Sequence, residues 1–350
     1  MKLNRLFMMI GAVLVFASTN GFAQGPNNSG TYYKDADGKK GAALKTALCE
    51  IIRKNLEQNV VSYTPGLWNA YPTTDAKPDD ATKVWDMYSD ISDFTFGAPD
   101  QDSGSGGSTE GDKYNREHSF PREWFGGAKA PMNTDLFHVY PTDKLVNNRR
   151  SSYPFGETTG EGKGSKYFKS HNNFSKLGDN TRSGYTGTVF EPNDIYKGDF
   201  ARTYFYMVTC YENEIPSWTT AQAHTLDGNR YPGLQEWQLN MLMEWSKNDP
   251  VDQPVAKETP RNNAVYGIQK NRNPFIDYPG LEEYIWGDKK NVAFSYDHFG
   301  ETGIEDLLED VQNDEPEAIY SPDGRRLEKM QRGLNIVRTK SRRTIKVVIK

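Results

Sequence analysis

The sequence predicts an α+β protein: a mixed α/β domain built round a two-strand-and-helix (ββα) core, followed by a small C-terminal β-hairpin unit. Three observations carry this. Apolar residues recur at helical spacing in 41–58, 198–211 and 234–247. Two short extended runs, 114–120 and 137–140, precede a helix that Pro141-Thr142-Asp143 should open. Residues 344–350 alternate as a strand does.

Taken in order, the chain opens on Lys2 and Arg5, an apolar run over 6–17, and a small, polar stretch ending in Gly21 and Ala23. That is the form of a secretory signal peptide covering residues 1–23. The run is too short to span a bilayer, and no cysteine follows the cleavage site to take a lipid. The mature protein is expected without a transmembrane segment, secreted or held at the cell surface after crossing the periplasm. Residues 24–32 form a loose, Gly/Asn/Ser-rich segment after the signal peptide. In 41–58, Leu44, Ala47, Leu48, Ile51, Ile52 and Leu56 share one helical stripe.

Residues 81–88 and 91–97 read as strand-like, 100–111 as a flexible polar loop, and 156–180 as a long Gly/Lys/Ser-rich surface loop. The helix at 198–211 is apolar on most faces, as a core helix is. A third amphipathic helix is expected at 259–270, opened by Thr259-Pro260. One main domain should therefore cover 24–298. An acidic linker should cover 299–317, and a β unit 318–350, turning at Pro322-Asp323-Gly324 and breaking at Arg332-Gly333.

The formal charge is −5, and more negative by two once Lys2 and Arg5 leave with the leader. A general nucleic-acid binder usually has a basic balance, so any such role must rest on local clusters. Cys49 and Cys210 are the two cysteines. In an oxidising compartment they form either one disulfide or two separate buried thiols, and their spacing fits no zinc site.

Chemistry concentrates in residues 114–157. Glu117 and His118 are adjacent, and Asn147, Asn148, Arg149 and Arg150 follow further on. Hydrolysis of a phosphodiester needs an activated water, relief of charge on the phosphoryl oxygens, and help for the departing oxyanion. An imidazole can take the proton from water. Glu117 and Asn147 supply a carboxylate and a neutral carbonyl oxygen, a set that suits a hard divalent cation retaining its own waters. Arg149 and Arg150 could clamp a phosphate through their fork geometry. Strand alternation puts Arg116 and His118 on one face and Glu117 on the other unless the strand bends.

These residues stand in NREHSFP (115–121), DLFHVYPTD (135–143) and VNNRRSSYPFGE (146–157), with KGDFARTYFYM (197–207) and IQKNRNPFID (268–277) further on. The five blocks resemble the endonuclease I family of secreted nonspecific nucleases, within the His-Me finger (ββα-metal) superfamily, and span roughly 40–290 in order. The resemblance implies His118 as general base, Glu117 and Asn147 as Mg²⁺ ligands, and His138 as the residue tying the inter-strand loop together. It implies cleavage of DNA and RNA to 5′-phosphate and 3′-hydroxyl ends; the protein is separately expected to be a monomer. Mn²⁺ or Ca²⁺ would also suit such ligands.

The chain departs from that pattern in two places. Many relatives have His where this chain has Phe137. An insert carrying cysteines, and an arginine for the product phosphate, is missing. Arg122, Arg149 and Arg150 are the candidates to replace that arginine. Arg202, Asn271 and Asn273 lie in matched blocks, where buried polar packing accounts for them.

The tail, through IYSPDGRRLEKMQRGLNIV, resembles C-terminal sorting domains of the type IX secretion pathway, which implies contact with secretion machinery. Two other functions remain open from sequence: a catalytically inactive, nuclease-like surface or matrix-binding module, and a secreted phosphodiesterase for small substrates.

Overall fold

The computed structural model describes residues 24–164, 166–300, 316–340 and 344–349. The chain divides into two compact units, Met1–Asp297 and His298–Lys350. The leader expected at 1–23 and most of the acidic linker expected at 299–317 lie outside the described residues.

Helix α1 (Gly41–Leu56) buries Leu44, Leu48, Ile51, Ile52 and Leu56, the stripe its spacing predicts. Lys45 is buried beside them because its Nζ meets Glu212 Oε2 at 3.2 Å and the Arg230 carbonyl at 2.5 Å. Helix α2 (Gly66–Thr74) follows. Residues 81–88 and 91–97, expected as strand-like, pair only through single bridges, Ala76 with Val84 and Lys83 with Thr95. The Asp86 carboxylate accepts the Tyr88 N–H, the Ser92 hydroxyl and the Asp143 N–H, so a side chain replaces the ladder.

Strand β1 (Tyr114–His118) pairs antiparallel with β2 (Val139–Asp143), from Tyr114 opposite Asp143 to His118 opposite Val139. The second strand, expected at 137–140, thus starts later and runs through Pro141. The ribbon has only two strands, so the missing N–H of proline can fall on an unpaired edge. β2 leads directly into helix α3 (Lys144–Arg150), where the Asp143 side chain caps the first turn by accepting the Val146 N–H at 3.0 Å.

Residues 156–180, expected as a surface loop, contain β3 (Phe168–Lys169) and β4 (Lys176–Asp179). With β5 (Thr188–Glu191) they form an antiparallel sheet in the order β3-β4-β5. Glycine hides this sheet from composition. At Gly178 an added Cβ would stand 2.5 Å from the Glu161 carbonyl, so the chains cross this closely only without a side chain.

Helix α4 (Lys197–Cys210) is buried at every residue from Gly198 to Cys210 and packs against α1 and α5 (Glu236–Asn248). Helices α6 (Glu258–Gln269), α7 (Pro274–Asp277) and α8 (Leu281–Ile285) complete the unit. Cys49 on α1 and Cys210 on α4 are buried free thiols, the Cys49 thiol donating to the Cys210 carbonyl at 3.3 Å.

The smaller unit, expected as a β-hairpin unit, is a four-stranded antiparallel sheet built of hairpin-paired strands. Its strands β6 (Pro316–Tyr320), β7 (Arg326–Leu327), β8 (Gly333–Thr339) and β9 (Thr344–Ile349) lie in the order β7-β6-β8-β9. The Pro322-Asp323-Gly324 turn joins β6 to β7, with Gly324 at φ +83°.

Candidate active site

The ββα unit brings the expected residues to one cleft of about 420 Å³, lined among others by Arg116, Glu117, His118, Arg122 and Asn147. Strand alternation holds, and the cleft accommodates it. Asn115 and Glu117 face α3, where Asn147 Nδ2 donates to Asn115 Oδ1 at 2.7 Å and Arg150 meets Glu117. Arg116 and His118 face the other way, where both stand against the ring of Tyr63. Beyond a bridge at Tyr114, β1 has no second strand partner, so both rows reach its open edge.

His118 is 8 % exposed, and its Nε2 lies 2.9 Å from the Asn133 carbonyl. A carbonyl can only accept, so Nε2 carries the proton and Nδ1 keeps its lone pair. Burial, with some repulsion from His138, pulls the His118 pKa down to about 3. The ring is therefore neutral near pH 7, the form in which it can accept a proton.

Glu117 is 2 % exposed. Its Oε1 accepts the Tyr88 hydroxyl at 2.8 Å and Arg150 Nη1 at 2.8 Å. Burial pushes its pKa up, and Arg150 and Tyr88 oppose that shift. Oε2 has no hydrogen-bond partner among the described residues. Asn147 Nδ2 is held by Asn115 and, at 3.4 Å, by the Arg116 carbonyl, which leaves Oδ1 as the free atom of that amide. Two oxygens without protein partners among the described residues, one of them on a carboxylate, fit a hard divalent cation that keeps several waters.

The arginines separate sharply. Arg150 is completely buried. Its Nη1 donates to Glu117 Oε1 and to the His118 carbonyl, both at 2.8 Å, and its Nη2 to the Ser119 carbonyl at 2.5 Å. This corrects the expectation that Arg150 grips a substrate phosphate: its surface is closed, and its donors hold β1 against α3. Arg149 is exposed over the Phe168 ring and is not among the residues lining the cleft. Arg122 is exposed at the cleft, 3.6 Å from Glu123.

His138 is fully buried, with its Nε2 against the Met132 carbonyl. Its own carbonyl accepts the Ser119 N–H at 2.9 Å, so it joins the inter-strand loop to the end of β1. Asp135 anchors the same loop from the other side. Its Oδ2 accepts the hydroxyls of Tyr206 and Tyr211, both at 2.7 Å, and its Oδ1 accepts Gln269 Nε2 at 3.0 Å. Arg202 forms a double ion pair with Glu258, while Asn271 and Asn273 bond to Tyr206 and the Arg202 carbonyl. The distant sequence blocks thus work as the support of the loop that carries Asn133, the partner of His118.

Two cleft residues escape the sequence reading, Tyr63 and Arg116 as a cleft donor, and so does Tyr88, which is buried behind Glu117. Arg116 could have been found, since it alternates onto the His118 face. Tyr63 sits in a segment with no periodicity or motif to mark it, and Tyr88 ends a segment whose strand-like pattern says nothing of the site.

The endonuclease I family model matches residues 40–280. An extracellular ribonuclease of Bacillus amyloliquefaciens is 36% identical over 283 residues, covering 79% of this chain and 85% of the relative. An extracellular ribonuclease of Bacillus subtilis is 34% identical over 262 residues, covering 73% and 78%. An endonuclease-1 of Buchnera aphidicola is 26% identical over 172 residues, covering 46% and 60%. With a ββα cleft that presents a neutral imidazole beside two free oxygen donors, and with that match over most of its length, this chain belongs to the endonuclease I family of nucleases.

Proposed function

We propose that the protein is a secreted, divalent-cation-dependent endonuclease that hydrolyses DNA and RNA without sequence preference, leaving 5′-phosphate ends. The supporting observation is the pairing of His118, anchored through Nε2 with Nδ1 free, with the free Glu117 Oε2 and Asn147 Oδ1 at the same cleft. His118 Nδ1 takes the proton from the attacking water. Glu117 and Asn147 would hold the cation, Mg²⁺ before Mn²⁺ or Ca²⁺. Bound there, the cation supplies charge stabilisation to the phosphoryl oxygens and the departing oxyanion. Arg150 keeps Glu117 ionised and in place without touching substrate. Arg122 and Arg116 meet phosphates at the cleft.

The names of the two Bacillus relatives support RNA as a substrate and an extracellular site of action. The leader at 1–23 would direct export, and the tail at 318–350 would engage secretion machinery. Recognition runs through the phosphate backbone and weakens steeply with salt.

The test is a plasmid-nicking and RNA-cleavage assay run with and without EDTA on wild type and His118→Ala. Wild type should cut both polymers only when the cation is present. His118→Ala should lose about 10²- to 10⁴-fold in rate while still binding DNA. Full activity in His118→Ala, or cleavage in EDTA, refutes the mechanism.

A further inference from the structure

Beside the catalytic cleft lies a second groove, of about 730 Å³, that no step above uses. The half-buried rings of Trp68 and Phe96 wall it, and Asn69 and Gln101 bring side-chain amides to it. Both rings are rigidly seated. Trp68 stands edge-on to Tyr71 at 5.7 Å and to Tyr114 at 5.8 Å, and both rings pack against the buried cluster of Val84, Phe94 and Tyr114.

The groove adjoins the cleft. Tyr63 lines the cleft and its neighbour Thr64 lines the groove. Arg116 bridges them, its guanidinium 3.6 Å from the centre of the Tyr63 ring and 4.4 Å from that of Trp68. Its Nη1 is fixed by the Tyr63 carbonyl at 2.8 Å and Thr64 Oγ1 at 2.7 Å. Among the described residues its Nε and Nη2 make no hydrogen bond. The Tyr63 ring lies nearly parallel to His118, with centroids 6.2 Å apart and planes 14° apart. A run of stacked side chains, His118, Tyr63, Arg116 and Trp68, therefore leads from the reacting group to the groove.

We infer that this groove receives an unpaired nucleobase next to the scissile phosphate, and that the preferred substrate is single-stranded nucleic acid. The inference rests on the endonuclease reading and adds a substrate class to it. Seated aromatic rings offer a face on which any base can stack, and amides can bond to any base edge, so sequence tolerance is preserved. A base inside a duplex is stacked on its neighbours and cannot enter. Arg116, preset by stacking and with two nitrogens free, suits the phosphate between the base and the cut.

The test compares kcat/KM on a single-stranded oligonucleotide and on the duplex of the same sequence, with Mg²⁺ present. The proteins are wild type, Trp68→Ala, Trp68→Phe and Asn69→Glu. Wild type should favour the single strand. Trp68→Ala and Asn69→Glu should lower the single-strand to duplex ratio about 5- to 150-fold, through KM on the single strand, and Trp68→Phe should restore most of it. Asn69 is exposed on α2, so its variant reads the groove without disturbing the core. Equal cutting of both forms by wild type, or a parallel fall on both in Asn69→Glu, overturns the proposal. A wild type that cuts neither polymer overturns the endonuclease reading itself, and the groove assignment with it.

Discussion

Replacing Arg150 by methionine removes a guanidinium that is completely buried and that serves four acceptors, the Tyr204 hydroxyl among them at 3.4 Å. The Glu117 carboxylate, 2 % exposed, would lose its one ionic partner, and the carbonyls of His118 and Ser119 would lose donors. Breaking a buried ion pair from one side costs about 3–5 kcal/mol. Each lost hydrogen bond from the charged donor costs about 1.5–3 kcal/mol before relaxation, the Ser119 carbonyl keeps the Tyr204 hydroxyl at 3.1 Å, and methionine recovers part of the loss by packing. A net loss of about 4 kcal/mol is expected, a large share of a total stability of about 5–15 kcal/mol. Thermal unfolding should fall by roughly 8 °C in a domain of this size. Arg149→Met, an exposed change, should stay within about 0.5 kcal/mol. Urea unfolding of both variants, read beside DNA cleavage across a Mg²⁺ titration, separates the two roles. Arg150→Met should be unstable and need more Mg²⁺, because Glu117 no longer has a cation beside it. An Arg150→Met protein as stable as wild type, with its loss confined to KM for DNA, would make Arg150 a substrate contact and refute this account.

Asn147→Ala removes one of the two free oxygens, so activity should fall at low Mg²⁺ and recover in part as Mg²⁺ is raised; a loss independent of metal would remove Asn147 from the cation site. Asp135→Ala strands two tyrosine hydroxyls, the Gln269 amide and the Phe137 N–H, and should cost about 4 kcal/mol by urea unfolding together with activity, because the loop bearing Asn133 loosens. Burial raises the Asp86 pKa to about 7 from 3.8, against the pull of its three hydrogen bonds. The folded state then holds that proton to higher pH than the unfolded chain, so its contribution is full below about pH 4 and is lost as pH rises towards 7, by at most about 1.4 kcal/mol per unit. Stability measured at pH 5 and pH 7.5 should show a shallower decline in Asp86→Asn than in wild type, and equal slopes would show that Asp86 does not titrate there.

Local pattern was legible where a residue's neighbours in sequence are also its neighbours in space. The stripe of α1, the apolar faces of α4 and α5, and the alternation of β1 all follow from spacing along the chain. His118, Glu117 and Asn147 reach one cleft for a related reason: β1, β2 and α3 form one short supersecondary unit, so the proposed chemistry lies within a single stretch. Residues 81–97 and 156–180 were misread because their structure depends on distant partners. Asp86 supplies hydrogen bonds that a strand would have made, and the Gly178 crossing requires a glycine where composition suggests a loop.

Residue type and order were enough to give the family and a nuclease chemistry, and to set the proposed base and ligands on one ββα unit. Which arginine can meet a phosphate lay beyond them. Arg149 and Arg150 are adjacent in sequence, yet one is exposed over Phe168 and the other is sealed beneath Glu117, because successive helical residues point about a quarter-turn apart. Arg116 becomes a cleft donor only because Tyr63 and Trp68, some fifty residues earlier, fold over it. Burial and stacking of this kind arise between segments far apart in the chain, and only the packed structure sets them.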